Sequence, residues 1–442
     1  MDTRALGRTV WALSLPLLFL EVGDALVHVT DTAFLARIGT AELGGIALGD
    51  TALELLVFPV VGLLEALQLV IARRAGQNRE ADIGTVFARG FWVALAASVA
   101  LAAVVWLGAG TISGWLAESA RVVEPLERFL EIAALGIPFE AMNLAYGALY
   151  VGLLRPRVLM WATVVLVLGN LVLGYVLILG NFGAPRLGME GAALSFVGAE
   201  AATFVLLTVY TLWDPELRVF GLFRLRRVEE SVLRPLVRLS APVSLQELVG
   251  DARWFIFFIV VERVSDDILA WSNVIFACYL VLMMPSYAFS EAAYTMVSNV
   301  IGGGHPERLE GVVRRTTMAT FAVSAPLVAF AVAFPGAALW IFSTEAGPIA
   351  GADTALRVVA VAMLVVIPAQ LWMAAVLGSG DVDAALLIEL AFSVVIVLGA
   401  VAAAVFGIAI GALWLSLPAA AAVALALSYA RLRTGRWRER VV

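Results

Sequence analysis

The chain has 442 residues, of which 62% are apolar and only 14% are charged, and its formal net charge is −6. A soluble globular protein is closer to half apolar and one quarter charged, so this composition excludes a soluble enzyme and a disordered chain. A single cysteine excludes an intrachain disulfide, the absence of lysine argues against a Walker A motif, and the negative charge argues against a nucleic-acid partner.

Twelve apolar segments are long enough to cross a membrane as helices, since about 20 mostly apolar residues span the hydrocarbon core. They lie at roughly 12–36, 43–72, 89–110, 127–153, 158–180, 189–213, 236–262, 268–299, 316–342, 354–377, 383–405 and 408–430. Their long continuous runs favour helices over the short alternating strands of a transmembrane β-barrel. Acidic residues and no cleavage site of small residues follow Arg4 and Arg8, so we expect a retained first span rather than a signal peptide.

The placement of arginine predicts the orientation. With both termini in the cytoplasm, 22 arginines fall on inside segments and six on outside segments, while Arg253 lies within a span. Cytoplasmic loops of membrane proteins carry the excess of positive charge. We therefore expect a multi-pass protein of the cell's inner (plasma) membrane, with both termini cytoplasmic, the lipid bilayer around it and no second subunit.

The two halves of the chain carry one pattern at a constant offset. Residues 13–89 align without gaps with residues 239–315, and we call this shift the repeat offset. The alignment matches prolines, glutamates and arginines, which rarely coincide by chance in so apolar a chain. The matches are Pro16 with Pro242, Glu21 with Glu247, Arg37 with Arg263, Pro59 with Pro285, Glu65 with Glu291 and Arg89 with Arg315. Further on the similarity weakens to a pairing of Pro138 with Pro368.

Each repeat contains six spans, so both have the same orientation. Parallel repeats of this kind are related by an axis along the membrane normal, and transporters built from them bind substrate at the repeat interface. The sequence predicts an N-terminal six-helix lobe at 1–213, a cytoplasmic linker at 214–235, a C-terminal six-helix lobe at 236–430 and a basic cytoplasmic tail at 431–442.

Ionisable residues form a stripe along the first span. Glu21, Asp24, His28 and Asp31 follow one another at spacings of three, four and three, which places them within roughly 80° of the helix circumference. An acid near the bilayer centre costs about 2.5–3.5 kcal/mol on insertion scales, and the apolar residues of this span do not offset three of them. We therefore expect the stripe to face protein or a water-filled cavity, where Asp24 and Asp31 bind protons or cations.

Polar residues also interrupt the other spans. We interpret one group as lining a substrate cavity that attracts cations: Asn143, Glu247, Asp251, Glu291 and Glu65. Of these, Glu65 and Glu291 could equally be structural. Arg253 is expected to neutralise an acid of a neighbouring helix, and Glu200 and Glu389 are interpreted as structural.

Residues 378–381, Gly-Ser-Gly-Asp, match the Gly-x-Gly-Asp signature of intramembrane aspartyl proteases. Those enzymes need a second aspartate after a tyrosine in another span, and this chain has no Tyr-Asp pair. An intramembrane enzyme is therefore an alternative that the sequence disfavours.

Four short motifs follow one another along the first lobe. They are residues 31–43 (Asp-Thr-Ala-Phe-Leu-Ala-Arg-Ile-Gly-Thr-Ala-Glu-Leu), 13–16 (Leu-Ser-Leu-Pro), 72–76 (Ala-Arg-Arg-Ala-Gly) and 168–170 (Leu-Gly-Asn). Their order and spacing resemble the multidrug and toxic compound extrusion (MATE) family, with the prokaryotic DinF-like branch closest, and the twelve spans extend the resemblance to nearly the whole chain.

The resemblance implies an all-α membrane protein with twelve transmembrane helices in two pseudo-symmetric six-helix lobes. It also implies an antiporter, without a cofactor, that exports small organic cations or lipophilic compounds against inward H⁺ or Na⁺. The alternatives are a lipid-linked precursor flippase of the same superfamily, which usually has fourteen spans and a basic cavity, an intramembrane enzyme, and a passive channel. The sequence identifies neither the substrate nor the coupling ion.

The resemblance also assigns roles to residues. The first-helix aspartate that couples transport in the DinF-like branch matches Asp31, and its fifth-helix asparagine partner matches Asn170. A family aspartate one turn later is Gly174 here, and Asp24 or Glu21 are the candidates to replace it. Another branch places an acid in the seventh helix, close to Asp251 and Glu247. The predicted ion-coupling residues are Asp31, Asn170, Asp24, Glu21 and His28.

Overall fold

The fold is helical throughout the part of the chain that the structure describes. The structure is a computed structural model, and it describes residues 3–117, 119–223, 230–342, 351–407 and 410–439. Its α-helices are α1 (Thr3–Leu35), α2 (Thr40–Gly76), α3 (Glu80–Leu116), α4 (Ala120–Ala133), α5 (Ile137–Gly152), α6 (Arg157–Leu177), α7 (Met189–Trp213), α8 (Glu230–Glu262), α9 (Asp266–Gly302), α10 (Leu309–Ala333), α11 (Pro335–Phe342), α12 (Ala352–Gly378), α13 (Val382–Phe406), α14 (Ile410–Leu413) and α15 (Ser416–Arg433).

The length and composition of these helices account for the predicted spans. Within the described ranges, ten candidate spans are long and apolar enough to cross a membrane, and the bent pair α4–α5 supplies an eleventh. Helix α8 is long enough to cross a membrane, since its 33 residues extend over about 50 Å at 1.5 Å per residue. Three charged residues lie in its middle: Glu247, Asp251 and Arg253. A helix satisfies all of its central backbone hydrogen bonds internally, which is why helices suit a chain of this composition. The predicted twelve-helix, two-lobe membrane fold is confirmed.

The fourth predicted span, 127–153, is not one straight helix. It is divided into α4 and α5, whose axes differ by 50°. Pro138 occupies the first turn of α5, where its missing N–H leaves no helical hydrogen bond unmade. Pro138 is therefore not a mid-span proline, as the sequence pattern suggested, but part of the start of a second helix.

The chain forms two compact units. One contains Met1–Leu18 and Leu245–Val442, and the other contains Phe19–Ser244; we call them the C-unit and the N-unit. Both boundaries fall inside helices, in α1 and in α8, rather than in the predicted linker at 214–235. Residues 224–229 of that linker, and 440–442 of the predicted tail, lie outside the described residues.

The repeat offset found in the sequence recurs in the structure. It carries both ends of α2 (Thr40–Gly76) onto the ends of α9 (Asp266–Gly302), and it carries the last residue of α5, Gly152, onto the last residue of α12, Gly378. The two unit boundaries, after Leu18 and after Ser244, are related by the same shift. The repeat therefore describes the backbone of the two units as well as the side chains that first revealed it.

Two turns follow the same offset, the first within the range in which the sequences align and the second beyond it. Asn78 and Gly304, which the repeat offset relates, both have a left-handed φ, of 55° and 75°, after α2 and α9. Leu154 and Gly380, related in the same way, have φ of 61° and 88° after α5 and α12. At the repeat offset Pro138 corresponds to Leu364, and its weaker pairing with Pro368 stays a prediction.

Candidate functional site

The stripe of ionisable residues on α1 is only partly covered in the N-unit. The side chains of Asp24 and His28 are exposed, whereas Glu21 and Asp31 are partly buried. Spacings of three and four place all four on one face of α1. The structure thus brings the three acids and the histidine of the sequence prediction onto one surface, with Asp31 at its more covered end.

Asp31 and Asn170 form a hydrogen-bonded pair between α1 and α6. The Asn170 side-chain amide nitrogen donates to Asp31 Oδ2 over 3.2 Å. Asn170 is 2% exposed. The other carboxylate oxygen, Asp31 Oδ1, and the amide oxygen, Asn170 Oδ1, are buried and have no hydrogen-bond partner among the described residues. Two acceptor oxygens without donors are what a site for a proton or a small cation requires.

His28 faces an acid of the second helix. Its Nδ1 lies 3.8 Å from Asp50 Oδ2, and the two side chains are 59% and 36% exposed. His28 also interacts electrostatically with Glu54 and Asp24. Asp50 acts on both His28 and Asp31, so it is a shared neighbour of the exposed and the covered parts of the stripe. The sequence alone does not specify which residue of α1 Asp50 meets.

A second carboxylate–amide pair lies on α5 and α7 of the same unit. The Asn143 amide nitrogen donates to Glu200 Oε2 over 2.7 Å and to the Glu200 backbone oxygen over 2.9 Å. Glu200 is 8% exposed. Glu140, one turn before Asn143, interacts electrostatically with Glu200 and with Asp24. Asn143 therefore holds an acid that the sequence reasoning set aside, and its predicted contact with substrate stays a prediction.

Gly174, where the family pattern has an aspartate, packs against an aromatic ring. A Cβ atom at this position would lie 3.3 Å from the Phe34 ring. The ring of Phe34 is also 6.3 Å from that of Tyr175. This turn of α6 is therefore occupied by apolar packing, and the acids nearest in sequence are those of α1.

In the C-unit, Arg253 pairs with Glu389 between α8 and α13. The two side chains are 11% exposed each. The Arg253 guanidinium also donates to Ser393 Oγ over 3.2 Å and lies 4.7 Å from the centroid of the Phe392 ring. The prediction that Arg253 neutralises an acid of a neighbouring helix is confirmed, and the acid is Glu389.

The remaining acids of α8 surround this ion pair. Glu247 interacts electrostatically with Asp251, Glu389 and Arg253, and Asp251 is exposed. One guanidinium thus faces three carboxylates, so the cluster keeps an excess of negative charge. Glu291 and its counterpart Glu65 are partly buried on α9 and α2, and their predicted place in a substrate cavity stays a prediction.

Aromatic rings fill the C-unit next to these acids. Trp254 lies 4.6 Å from Phe276 and 5.3 Å from Tyr279, measured between ring centroids. Phe257 lies 5.3 Å from Trp414, which is 1% exposed. The sequence showed many aromatic residues but could not distinguish an internal cluster from rings at the lipid interface.

The Gly-Ser-Gly-Asp turn at 378–381 is a packing element. A Cβ atom on Gly378 would lie 2.4 Å from the Tyr294 backbone oxygen, so only glycine allows this approach of α12 to α9. Asp381 is fully buried and accepts a hydrogen bond of 2.7 Å from Arg431 Nε. The turn packs against α9 through Gly378 and binds α15 through the Asp381–Arg431 ion pair.

Comparisons with known proteins agree on one family. A family model described as MatE matches residues 16–176 and 242–405. A probable multidrug resistance protein NorM of Aromatoleum aromaticum is 26% identical over 354 residues, which cover 79% of this chain and 74% of that protein. A protein of the same name from Neisseria meningitidis serogroup A is 25% identical over 280 residues, 63% of this chain and 61% of its own length. This chain thus spans about three fifths of that relative.

Solved structures extend the similarity to nearly the whole chain. An outward-facing conformation of a multidrug resistance MATE family transporter matches with a TM-score of 0.86 at 17% identity, covering 99% of this chain and 97% of that one. A MOP superfamily transporter from Pyrococcus furiosus, described as having a binding pocket of reverse polarity, matches with a TM-score of 0.88 at 17% identity, covering 97% and 96%. At this identity the similarity concerns the fold.

Proposed function

Because the match over residues 16–176 and 242–405 shows that this chain belongs to the MatE family of transporters, we propose that it is a secondary active antiporter. It exports small organic cations or lipophilic compounds and is driven by inward movement of H⁺ or Na⁺. The names of its relatives, multidrug resistance proteins, support the substrate class. The family assignment itself confirms the resemblance detected in the sequence motifs.

One observation carries the proposal: the Asp31–Asn170 pair has two buried acceptor oxygens that no donor among the described residues occupies. A proton or a small cation on Asp31 Oδ1 would satisfy that oxygen and neutralise the carboxylate. Loss of the ion would restore a negative charge in a poorly hydrated place, which is costly. Binding and release at Asp31 therefore change the free energy of any conformation in which the surroundings of this residue differ.

That difference is the source of coupling. An ion shifts the equilibrium between outward- and inward-open states only by its differential affinity for them. If Asp31 binds the ion more tightly in one state, ion binding favours that state, and substrate that binds the other state more tightly favours the other. Exchange of one ligand for the other then moves substrate outward, as alternating access requires.

The C-unit supplies the chemistry that suits an organic cation. Glu247 and Asp251 keep an excess of negative charge beside the Arg253–Glu389 pair. The Trp254 ring lies among other aromatic rings on the same helix pair, and aromatic faces attract organic cations. We assign these residues to substrate binding within the proposed antiporter.

The proposed setting follows from the spans and from arginine placement. The protein resides in the plasma membrane with both termini in the cytoplasm, and it works as a monomer. The positive-inside distribution of arginine supports this orientation.

Reconstitution in liposomes tests the proposal. A pH gradient and a Na⁺ gradient are imposed separately on proteoliposomes, and efflux of ethidium is followed by fluorescence. At least one gradient should drive efflux, and Asp31→Asn should abolish the driven component in a folded protein. Glu310→Gln, which neutralises an exposed acid at the start of α10, is the matched control and should leave efflux unchanged. Efflux that responds to neither gradient would overturn the antiporter proposal.

A further inference from the structure

His28 is the exposed neighbour of a covered proton acceptor. Asp31 Oδ1 is buried, so bulk water does not reach it directly. His28 lies one turn earlier on the same face of α1, and its side chain is 59% exposed. His28 is therefore accessible to protons from water, whereas Asp31 Oδ1 is not.

Among the described residues, the titratable groups that interact electrostatically with His28 are acids. Asp24 and Asp31 lie on its own helix, and Asp50 and Glu54 face it from α2. Glu140 and Glu200, on α5 and α7, lie beyond Asp24 and interact with it.

Asp50 orients the ring, because its Oδ2 lies within ion-pair distance of His28 Nδ1.

Histidine suits one of the two candidate coupling ions. Its ring nitrogens gain and lose protons near neutral pH, and the ring can accept a proton on one nitrogen and release one from the other. Na⁺ is a hard cation that prefers oxygen ligands, and a protonated imidazole beside Asp31 would repel it. An exposed imidazole at this position is thus useful for proton transfer and unfavourable for Na⁺ binding.

We propose that His28, oriented by Asp50, passes protons between water and Asp31, and that the coupling ion is therefore H⁺. The inference rests on the proposed antiport function and names the ion and the path within it.

In the inward step, a ring nitrogen of His28 takes a proton from a hydronium ion, whose O–H bond breaks and leaves a water molecule. Its N–H bond then breaks as an O–H bond forms on the Asp31 carboxyl group, and the imidazole returns to its neutral form. Release follows the same path in reverse, and no other bond changes.

The chain offers an unusually clean test because it has only two histidines. His305 is exposed in the turn after α9, where its Nδ1 lies 3.2 Å from Glu307. His305→Gln is therefore the matched control for His28→Gln. Both variants are reconstituted, and ethidium efflux is measured under a pH gradient and, separately, under a Na⁺ gradient.

We expect wild-type efflux to follow the pH gradient and not the Na⁺ gradient. His28→Gln should slow the pH-driven efflux by at least about tenfold. This is a conservative minimum, because positioned proton-transfer groups typically contribute more than that. The variant's dependence on external pH should be flatter than that of the wild type. Equilibrium binding of ethidium should be unchanged, and His305→Gln should resemble the wild type in every measurement.

A chemical test covers the case in which His28→Gln does not fold. In the His305→Gln protein, His28 is the sole histidine, so diethyl pyrocarbonate can acylate no other imidazole. Acylation should block pH-driven efflux, and hydroxylamine should restore it. Full efflux after acylation would overturn the proposal.

The two proposals fail in different ways. Wild-type efflux driven only by Na⁺, or a His28→Gln protein with the wild-type rate and pH profile, would overturn the role of His28 and leave antiport standing. Wild-type efflux that ignores both gradients would overturn antiport itself.

Discussion

Equivalent helix pairs in the two units carry opposite chemistry. At the repeat offset, His28 corresponds to Trp254, and Asp50 corresponds to Phe276. The members of each pair meet: His28 Nδ1 and Asp50 Oδ2 lie 3.8 Å apart, and the two ring centroids lie 4.6 Å apart. Asp31 likewise corresponds to Phe257, whose ring lies 5.6 Å from that of Trp254.

The comparison separates what the fold needs from what the function needs. In the C-unit, the contact between α8 and α9 at these positions is made by aromatic rings. The same arrangement of α1 and α2 therefore does not require charged side chains, and their presence in the N-unit costs free energy that packing would not. Within the proposed antiporter, the acids and the histidine serve proton transfer, and the rings serve packing and substrate binding.

The largest expected effect is the difference in stability between substitutions at Phe257 and at its counterpart Asp31. Phe257→Ala should lower the free energy of unfolding by about 3–5 kcal/mol, because the ring is 1% exposed and its removal leaves a cavity. Asp31→Asn should change it by less than about 1 kcal/mol, since an amide oxygen can still accept the bond from Asn170. Denaturation in detergent micelles, followed by tryptophan fluorescence, measures both, and the reverse order of stabilities would contradict the comparison.

Asp381 provides the next largest effect. Asp381 is fully buried and forms an ion pair with Arg431, whose side chain is 26% exposed. Asp381→Asn leaves the guanidinium without its counter-charge, and we expect a loss of about 2–3 kcal/mol in the free energy of unfolding. The double variant Asp381→Asn with Arg431→Met should recover part of the loss, and a double variant less stable than the single one would show that the ion pair is not the cause.

The glycines that end α5 and α12 should differ in their tolerance of a methyl group. A Cβ on Gly378 would meet the Tyr294 backbone oxygen at 2.4 Å, whereas a Cβ on Gly152 would first meet the Ile71 side chain at 2.8 Å. A side chain can shift more easily than a helix backbone, so Gly378→Ala should cost about 1–3 kcal/mol and Gly152→Ala less. Thermal midpoints in the same detergent test this order, and equal midpoints would contradict it.

The smallest effect is expected at Arg155, the counterpart of Asp381. It forms an ion pair of 2.6 Å with Glu216, but the side chains are 49% and 67% exposed. Arg155→Gln should lower the free energy of unfolding by less than about 1 kcal/mol, because exposed ion pairs contribute little. Raising the salt concentration should remove even that difference, whereas a loss as large as that of Asp381→Asn would show that exposure does not separate the two sites.

Much of the fold was predictable because a membrane restricts the possibilities. Apolar runs of sufficient length must be helices, and a constant offset between prolines, glutamates and arginines revealed the repeat. The break between α4 and α5 was missed because Pro138 at the start of a helix and a proline within one look alike in an apolar run. The boundaries of the two compact units fall inside α1 and α8, where packing rather than the charge of a linker decides them.

The site was predictable in its members and not in its pairings. The spacing on α1 identified the stripe, and the family motifs identified Asp31 and Asn170. The partners of Arg253 and Asn143 lie 136 and 57 residues away in sequence, so no local pattern could select Glu389 or Glu200 from the other acids. Long-range pairings of this kind depend on helix rotation, which a single sequence does not specify.

The division of α1 and α8 between the units has a consequence for biosynthesis. Residues Met1–Leu18 are made before the N-unit but belong to the C-unit, where Trp11 packs edge-to-face on Phe289. During translation this segment must wait until α9 has left the ribosome, and the N-unit must wait for the start of α8 in turn. Neither unit can complete its folding before part of the other has been synthesised. If the chain were cleaved in its middle loop, the two fragments would therefore have to associate before either unit could reach its native structure.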